Sequence, residues 1–450
     1  MKKNYMVIVL SVLLLSALLA FAGGQTEIQA AAGGEEVLST EGDLTLVGWG
    51  FATDYAKSLL KDFEAAYNIP VEFFVLPSGA KYQEAVVQMF IAHDPIDVLY
   101  LNCYNSRAYI EAGWIKPLNV YAPQDEIDKL KSGLEESFLN AWTVNGNLYA
   151  LPYYQDVWML VYNTELFAEA GINVFPSTWE ELKNACMKIK KQGSVKYPMA
   201  LPLGQNVFLR NVVMSMVFSI GGRMFDDNFD PVFDRPNSAF RTVMNWFLDG
   251  LYDSEIIDPK SLEANDNDNW PYFAQGHSAV TMIPSYRMAP ISDESTSDVV
   301  GKASLAIMPG TTHETISWSQ GYVISAFTDA PDKAWNLMDF LGGDGKDGSF
   351  HARKGWMSNY ALGSGYKESW DNIDVRESLS KIIGETNINI IKEQTKLSRH
   401  LPVNEIPWIS SWIGDFEIEV CRVFTKEITL DEAIKNLISS WERNKKGFSG

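Results

Sequence analysis

The sequence predicts an α/β protein built from two compact units. Three observations carry that expectation. From Leu44 to Leu101 the chain alternates strand, helix, strand, helix, strand, the rhythm of a parallel sheet covered by helices. At 450 residues it exceeds what one hydrophobic core usually holds. Its 46% hydrophobic content comes without a long low-complexity tract, so both units should be well packed.

In chain order, Lys2 and Lys3 precede an almost wholly apolar run, Met6 to Leu19, and Ala20-Phe21-Ala22 offers a small-x-small cleavage pattern. About 14 apolar residues are too few to span a bilayer, so residues 1–22 read as a cleaved secretory signal. Residues 23–42 are rich in Gly, Ala, Gln and Glu without apolar periodicity and read as a flexible lead. With no cysteine between Met1 and Asn102, the thioether lipid anchor of exported proteins has no attachment point. No later stretch approaches 18 uninterrupted apolar residues. The mature chain is therefore expected free in solution.

Leu44 to Trp49 is a buried strand, followed by a helix over residues 54–67 with Tyr55, Leu59, Leu60, Phe63 and Tyr67 on one face. Asn68-Ile69-Pro70 ends it before the strand Val71–Leu76. A second helix, Tyr82 to Ala92, turns Tyr82, Val86, Met89 and Phe90 inward, and Ile96 to Leu101 is the third strand. Ligands of such sheets sit beyond the C-terminal ends of the strands, which selects Trp49–Thr53 and Tyr100–Tyr104. Further on, Asn145-Gly146 signals a hairpin, Thr178 and Glu181 form a capping box, and Pro331 to Leu341 reads as a helix stopped by Gly342-Gly343.

The formal charge is −20, and −22 once Lys2 and Lys3 leave with the signal. That balance argues against nucleic acid or an anionic membrane as a standing partner, since both need a basic footprint. Cys103, Cys186 and Cys421 are too few and too scattered for a disulfide framework and read as small buried thiols, although one pair could close in an oxidising compartment. The five histidines show no metal-ligand spacing, and no cofactor or metal is expected. Asp226-x-Asn228-x-Asp230 lacks the glycine and the twelfth-position acid of a calcium loop and reads as a hairpin tip. No Gly-x-Ser-x-Gly elbow or P-loop spacing appears. A pair of carboxylates spaced for glycoside hydrolysis is the one enzyme reading that spacing leaves open.

An ordered set of segments resembles the family 1 extracellular solute-binding proteins, the maltose-type receptors of ABC importers. The matching pieces are GWG at 48–50, NIPVEF at 68–73, IDVLYLN at 96–102 and EAGWIKPL at 111–118. VNGNLYALPYYQDVWMLVYNTELFAEAGI at 144–172 follows, then STWEEL at 177–182, GGRMF at 221–225, FAQGHSAV at 273–280 and Ala334-Trp335. The resemblance implies two α/β lobes of the periplasmic-binding-protein type II fold, joined by a hinge of crossing strands around a central cleft. Crossings are expected near 151–156 and 278–284, with a return near 322–328. Lobe 1 would then be 43–152 plus 279–325, and lobe 2 153–278 plus 326–450. It also implies a monomeric periplasmic receptor that binds a sugar reversibly and passes it to the membrane subunits of an ABC permease.

Sugars offer flat C–H faces to aromatic rings and hydroxyls to amides and carboxylates. On the strand exits, Trp49 and Phe51 are stacking candidates, while Thr53 either meets hydroxyls or caps the next helix. Tyr100 and Asn102 occupy the third exit. Tyr153, Tyr154 and Asp156 lie at the floor of the expected cleft, where alternation along a strand points one tyrosine of the two inward. Asn206 and Arg210 are expected on the facing wall. Arg287 leaves the second crossing and alternatively pairs with an acid. Trp318 and Tyr322 stand near the family's Gly-Gly-Trp segment, from which this chain departs at Gln320 and Tyr322, and Trp356 is the last candidate. A polyamine or a polyol phosphate is the rival solute; one acid, a few arginines and many aromatics favour an uncharged sugar.

Overall fold

The computed structural model describes residues 44–346, 348–402, 406 and 408–448. The expected signal segment (1–22) and lead (23–42) lie outside them. Parallel strands β1 (Leu44–Trp49), β2 (Val71–Leu76) and β3 (Val98–Asn102) are joined through helices α1 (Thr53–Tyr67) and α2 (Ala80–Ala92). Most of β1 is buried, as expected of a central parallel strand covered on both faces. Gly48 is required there, because a Cβ would sit 2.6 Å from the Tyr100 ring.

After β3 come α3 (Cys103–Glu111), α4 (Gln124–Gly133) and α5 (Glu136–Trp142). The short hairpin β4 (Thr143–Val144) and β5 (Asn147–Leu148) turns on Asn145 and Gly146, both at positive φ as the sequence anticipates. The long strand β6 (Leu151–Asn163) then leaves the first unit for the second. Its alternation is visible in its packing: Leu151 and Tyr153 enter the first core, Trp158 and Leu160 the second, and Val157, Met159 and Val161 a third beneath it.

The second unit contains α6 (Thr164–Glu169), α7 (Trp179–Gln192), β7 (Met199–Ala200), α8 (Val207–Ser219), α9 (Ala239–Tyr252), α10 (Asp266–Ala274), β8 (Val280–Pro284), α11 (Met288–Ile291) and β9 (Ala303–Ala306). The Thr178–Glu181 capping box opens α7, and Gly193 closes it in the left-handed region. Strand β10 (Thr315–Ile324) runs back, antiparallel to both β6 and β3. The helices α12 (Pro331–Gly342) and α13 (His351–Tyr360) follow, then α14 (Ile373–Ile383), α15 (Glu385–Lys396), the short strand β11 (Ser398–Arg399), α16 (Ile409–Phe424) and α17 (Leu430–Phe448). One nine-stranded sheet runs β2-β1-β3-β10-β6-β8-β7, with β9 and β11 attached to β6 and β10.

The packing corrects the expected division of the chain. Val280–Pro284 is not a crossing: β8 pairs with the far half of β6 and with β7, and its side chains enter the second and third cores. Residues 326–360 do not belong with the second unit, because Ala334, Leu337, Met338, Leu341 and Trp356 complete the first core. The connections are instead β6, β10 and residues 361–365. In the last of these, the Gln155 N–H donates to the Gly363 carbonyl at 3.2 Å. A Cβ on Gly363 would lie 2.0 Å from the Gln155 carbonyl oxygen, so only glycine lets this segment lie flat on β6.

Candidate functional site

Where β1, β3, β6 and β10 converge, seven of the aromatic candidates form one cluster with Tyr153 at its centre. The Tyr153 ring stacks on Tyr100 at 4.5 Å between centroids, and meets Trp356 at 5.0 Å, Tyr154 at 5.1 Å, Tyr322 at 5.4 Å and Trp49 at 5.7 Å. Phe51 stacks on Trp356 at 6.4 Å, from the loop after β1. Tyr100, Tyr153, Tyr322 and Trp356 are buried, Trp49 and Tyr154 are half-buried and Phe51 is exposed, so the cluster runs from core to solvent; Trp318, also half-buried, stands beside it against Trp158. Burial holds the Tyr153 and Tyr322 phenols well above their usual range, so both stay neutral hydrogen-bonding groups.

Local geometry explains the placement. The αL residue Ala52 turns the chain from β1 into α1 and leaves Phe51 on the outside. Tyr154 and Tyr153 point to opposite sides of β6. Tyr153 enters the first core, while Tyr154 lies on the other side near Trp318, and burial pushes its phenol up to about 12. The hydroxyl of Tyr153 and the indole Nε1 of Trp158 are buried without a hydrogen-bond partner, as is the hydroxyl of Tyr104. Each such group costs about 1–3 kcal/mol unless something donates to or accepts from it.

The polar candidates are placed differently. Thr53 is the first residue of α1 and makes no side-chain cap bond. Asn102 Oδ1 accepts the Tyr104 N–H at 2.9 Å and caps α3, and Asn206 Oδ1 accepts the Phe208 N–H at 2.8 Å and caps α8. Arg287 is engaged with an acid, its Nε donating to Asp266 at 2.7 Å and its guanidinium lying 5.6 Å from the Trp270 ring. Arg210 pairs with Glu417 at 3.3 Å and lies over the Tyr104 ring at 4.4 Å. These atoms serve the fold's own turns and ion pairs, as polar side chains at loop–helix junctions commonly do.

Asp156 holds the turn after β8: its Oδ1 accepts the N–H groups of Val157 (2.7 Å) and Ser285 (3.1 Å) and the Ser285 hydroxyl (2.5 Å). Burial outweighs these bonds and pushes the carboxyl up to about 7. A folded-state value raised above the unfolded one stabilises the protein in acid, and that stability is lost as pH rises through about 7. The substitution Asp156→Asn keeps an acceptor without the charge. Urea unfolding of this variant is expected to lose the wild-type decline in stability between about pH 4 and 7 and to exceed the wild type above it. An unchanged slope would assign the decline to another group.

Three aromatic neighbours are absent from the candidate ligand contacts, although Tyr104 ends the selected exit Tyr100–Tyr104. Tyr55 and Tyr360 complete the exposed side of the cluster around Trp356, at 4.7 and 5.6 Å. Tyr104 faces the second unit. The signal for Tyr104 is its position directly beyond β3; Tyr55 reads from sequence as a core residue, and Tyr360 follows a segment without a clear pattern. Cys103 and Cys186 are buried free thiols and Cys421 a half-buried one. Among the described residues no helix is long and apolar enough to cross a membrane.

Comparison with known proteins gives a family match, bacterial extracellular solute-binding protein, over residues 52–347. A mannitol-binding protein of Pseudomonas aeruginosa is 24% identical over 290 residues, covering 61% of this chain and 63% of its own length. Among solved structures, the maltose-bound MalE3 of T. maritima superposes with a TM-score of 0.75 at 18% identity, covering 89% of this chain and 99% of its own. A solute-binding protein of Agrobacterium vitis with bound D-mannitol gives 0.69 at 20% identity, covering 90% and 98%. The fold is thus the two-lobed one of these receptors, with the hinge of crossing strands described above.

Proposed function

The chain belongs to the bacterial extracellular solute-binding proteins, and on that premise we propose that it is the exported receptor of an ATP-driven importer, binding an uncharged sugar or polyol between its two units. It releases the solute unchanged to the permease and performs no turnover. The export signal at residues 1–22 and the lack of an early cysteine support residence in a periplasm. The binding partners named for its relatives, mannitol and maltose, fit the same chemistry.

The observation that carries this reading is the aromatic cluster on the crossing strands, graded from buried to exposed and holding hydrogen-bonding groups without protein partners. Rings of this kind stack on the C–H faces of a polyhydroxylated solute, and neutral hydroxyl and indole groups bond its oxygens. A charged amine would call for several acids there, and a phosphoester for arginines at helix N-termini. Arg210 and Arg287 are already paired.

A thermal-shift screen of the mature chain tests it with mannitol, other polyols, monosaccharides, maltose and longer maltooligosaccharides, polyamines and polyol phosphates. A true solute at a hundred times its dissociation constant should add about 2.7 kcal/mol to stability. A response to polyamines or phosphates alone would replace the sugar reading. Hydrolysis of a bound glycoside, lost on substituting one carboxylate, would replace the receptor reading.

A further inference from the structure

The first turn of α3 belongs to the first unit, yet three elements of the second unit grip it. The Arg210 guanidinium of α8 covers the Tyr104 ring at 4.4 Å. The Ser410 hydroxyl of α16 donates to the Tyr104 carbonyl at 2.7 Å. His400, just after β11, sets its Nδ1 3.8 Å from the Cys103 sulfur. Both Cys103 and His400 are buried, and His400 Nε2 has no hydrogen-bond partner among the described residues. Cys103 lies at the edge of the first core and Tyr104 packs against both cores, so the two units meet at this turn and a hinge motion that parted them would bring water to Cys103 and His400.

Resting on the reading that the units close over a solute, we propose that this turn is a closure clasp and that protonation of His400 releases it. An imidazolium needs water or an acceptor at each nitrogen, and the clasp supplies only a thiol. Among the described residues, the ionisable groups around it are Cys103 and Tyr104 from α3, Tyr154 from β6, Arg210 from α8 and Glu417 from α16, with the Arg399–Glu314 pair next along the chain. Glu417 is occupied by Arg210, so among the described residues named here no free carboxylate is left to hold a charged His400. Burial alone pulls the closed-state imidazole down to about 3. A solvated histidine titrates near 6.5, so in the window between, the open form takes up a proton that the closed form excludes. Closure is therefore fully favoured above about pH 6.5 and weakens by up to tenfold per pH unit below it.

Thiol footprinting reads the clasp without a solute. In a Cys421→Ser background, Cys103 is modified with 4,4′-dithiodipyridine, which reacts in acid, and rates are normalised to free cysteine at each pH. Cys186, buried in the second core, is the internal blank. Cys103 should react about tenfold faster at pH 5.5 than at pH 7.5. With His400→Gln, or His400→Asn where the glutamine variant melts early, the two rates should agree. A pH-independent wild-type rate, or a pH response that survives both substitutions, overturns the proposal. D-mannitol and maltose are then added: protection of Cys103 by either, weaker at pH 5.5, supports clasp and receptor together. A pH response with no protection by any solute of the screen keeps the clasp and removes the receptor reading.

Discussion

Replacing Tyr153 with alanine should remove about 3–5 kcal/mol of stability and lower solute affinity by at least a hundredfold. The ring is 3% exposed and touches Trp49, Tyr100, Tyr154, Tyr322 and Trp356, so truncation leaves an aromatic-sized cavity at the centre of the cluster. The affinity loss follows because neighbouring rings presented to the solute lose the surface that orients them; a hundredfold is about 2.7 kcal/mol. Stability alone would not separate a binding role from a packing one. The substitution Tyr153→Phe does. It deletes a buried hydroxyl with no protein partner, so urea unfolding should show stability unchanged or slightly raised. If that hydroxyl bonds the solute, calorimetry should show affinity falling about two- to tenfold, the worth of one hydrogen bond. Stability rising with affinity intact would make Tyr153 a purely structural residue.

The first unit was legible because its signals are local. Leu44–Trp49, Val71–Leu76 and the helix between them are bounded by Gly, Asn and Pro, and each carries its own periodicity. The exits of β1 and β3 followed from topology alone, and with them Trp49, Phe51 and Tyr100. The hinge was less legible. Val280–Pro284 is an apolar run buried on both faces, and such a run reads the same whether it crosses between units or lies within one. Residues 361–365 have no periodicity; their course along β6 depends on Gly363 meeting the Gln155 backbone, a contact between residues 208 positions apart. The polar candidates are ambiguous for a different reason. Asn102, Asn206 and Asp156 are the residue types that binding sites use, and equally the types that cap helices and hold turns, so composition at a loop cannot separate the two roles.

Arg210 is the polar candidate whose loss should cost most. Its side chain is 4% exposed and Glu417's 19%, so the pair sits largely away from water. Removing one partner of such a pair costs about 3–5 kcal/mol, because the other charge stays behind unpaired, even where the pair itself adds little. We therefore expect Arg210→Met, which keeps the volume and drops the charge, to destabilise by that amount at neutral pH in urea unfolding. The pH dependence gives the mechanism away. Burial already holds the Glu417 carboxyl above its usual range and Arg210 opposes that shift, so without the guanidinium it rises further. A folded-state value raised in this way means stability is present in acid and lost as pH rises through it, so the variant's deficit should shrink on acidification. Adding Glu417→Gln should recover most of the loss at neutral pH and abolish that pH dependence. A deficit that neither acid nor Glu417→Gln repairs would trace the cost to the lost stacking on Tyr104, and so to the contact between the two units, rather than to the stranded carboxylate.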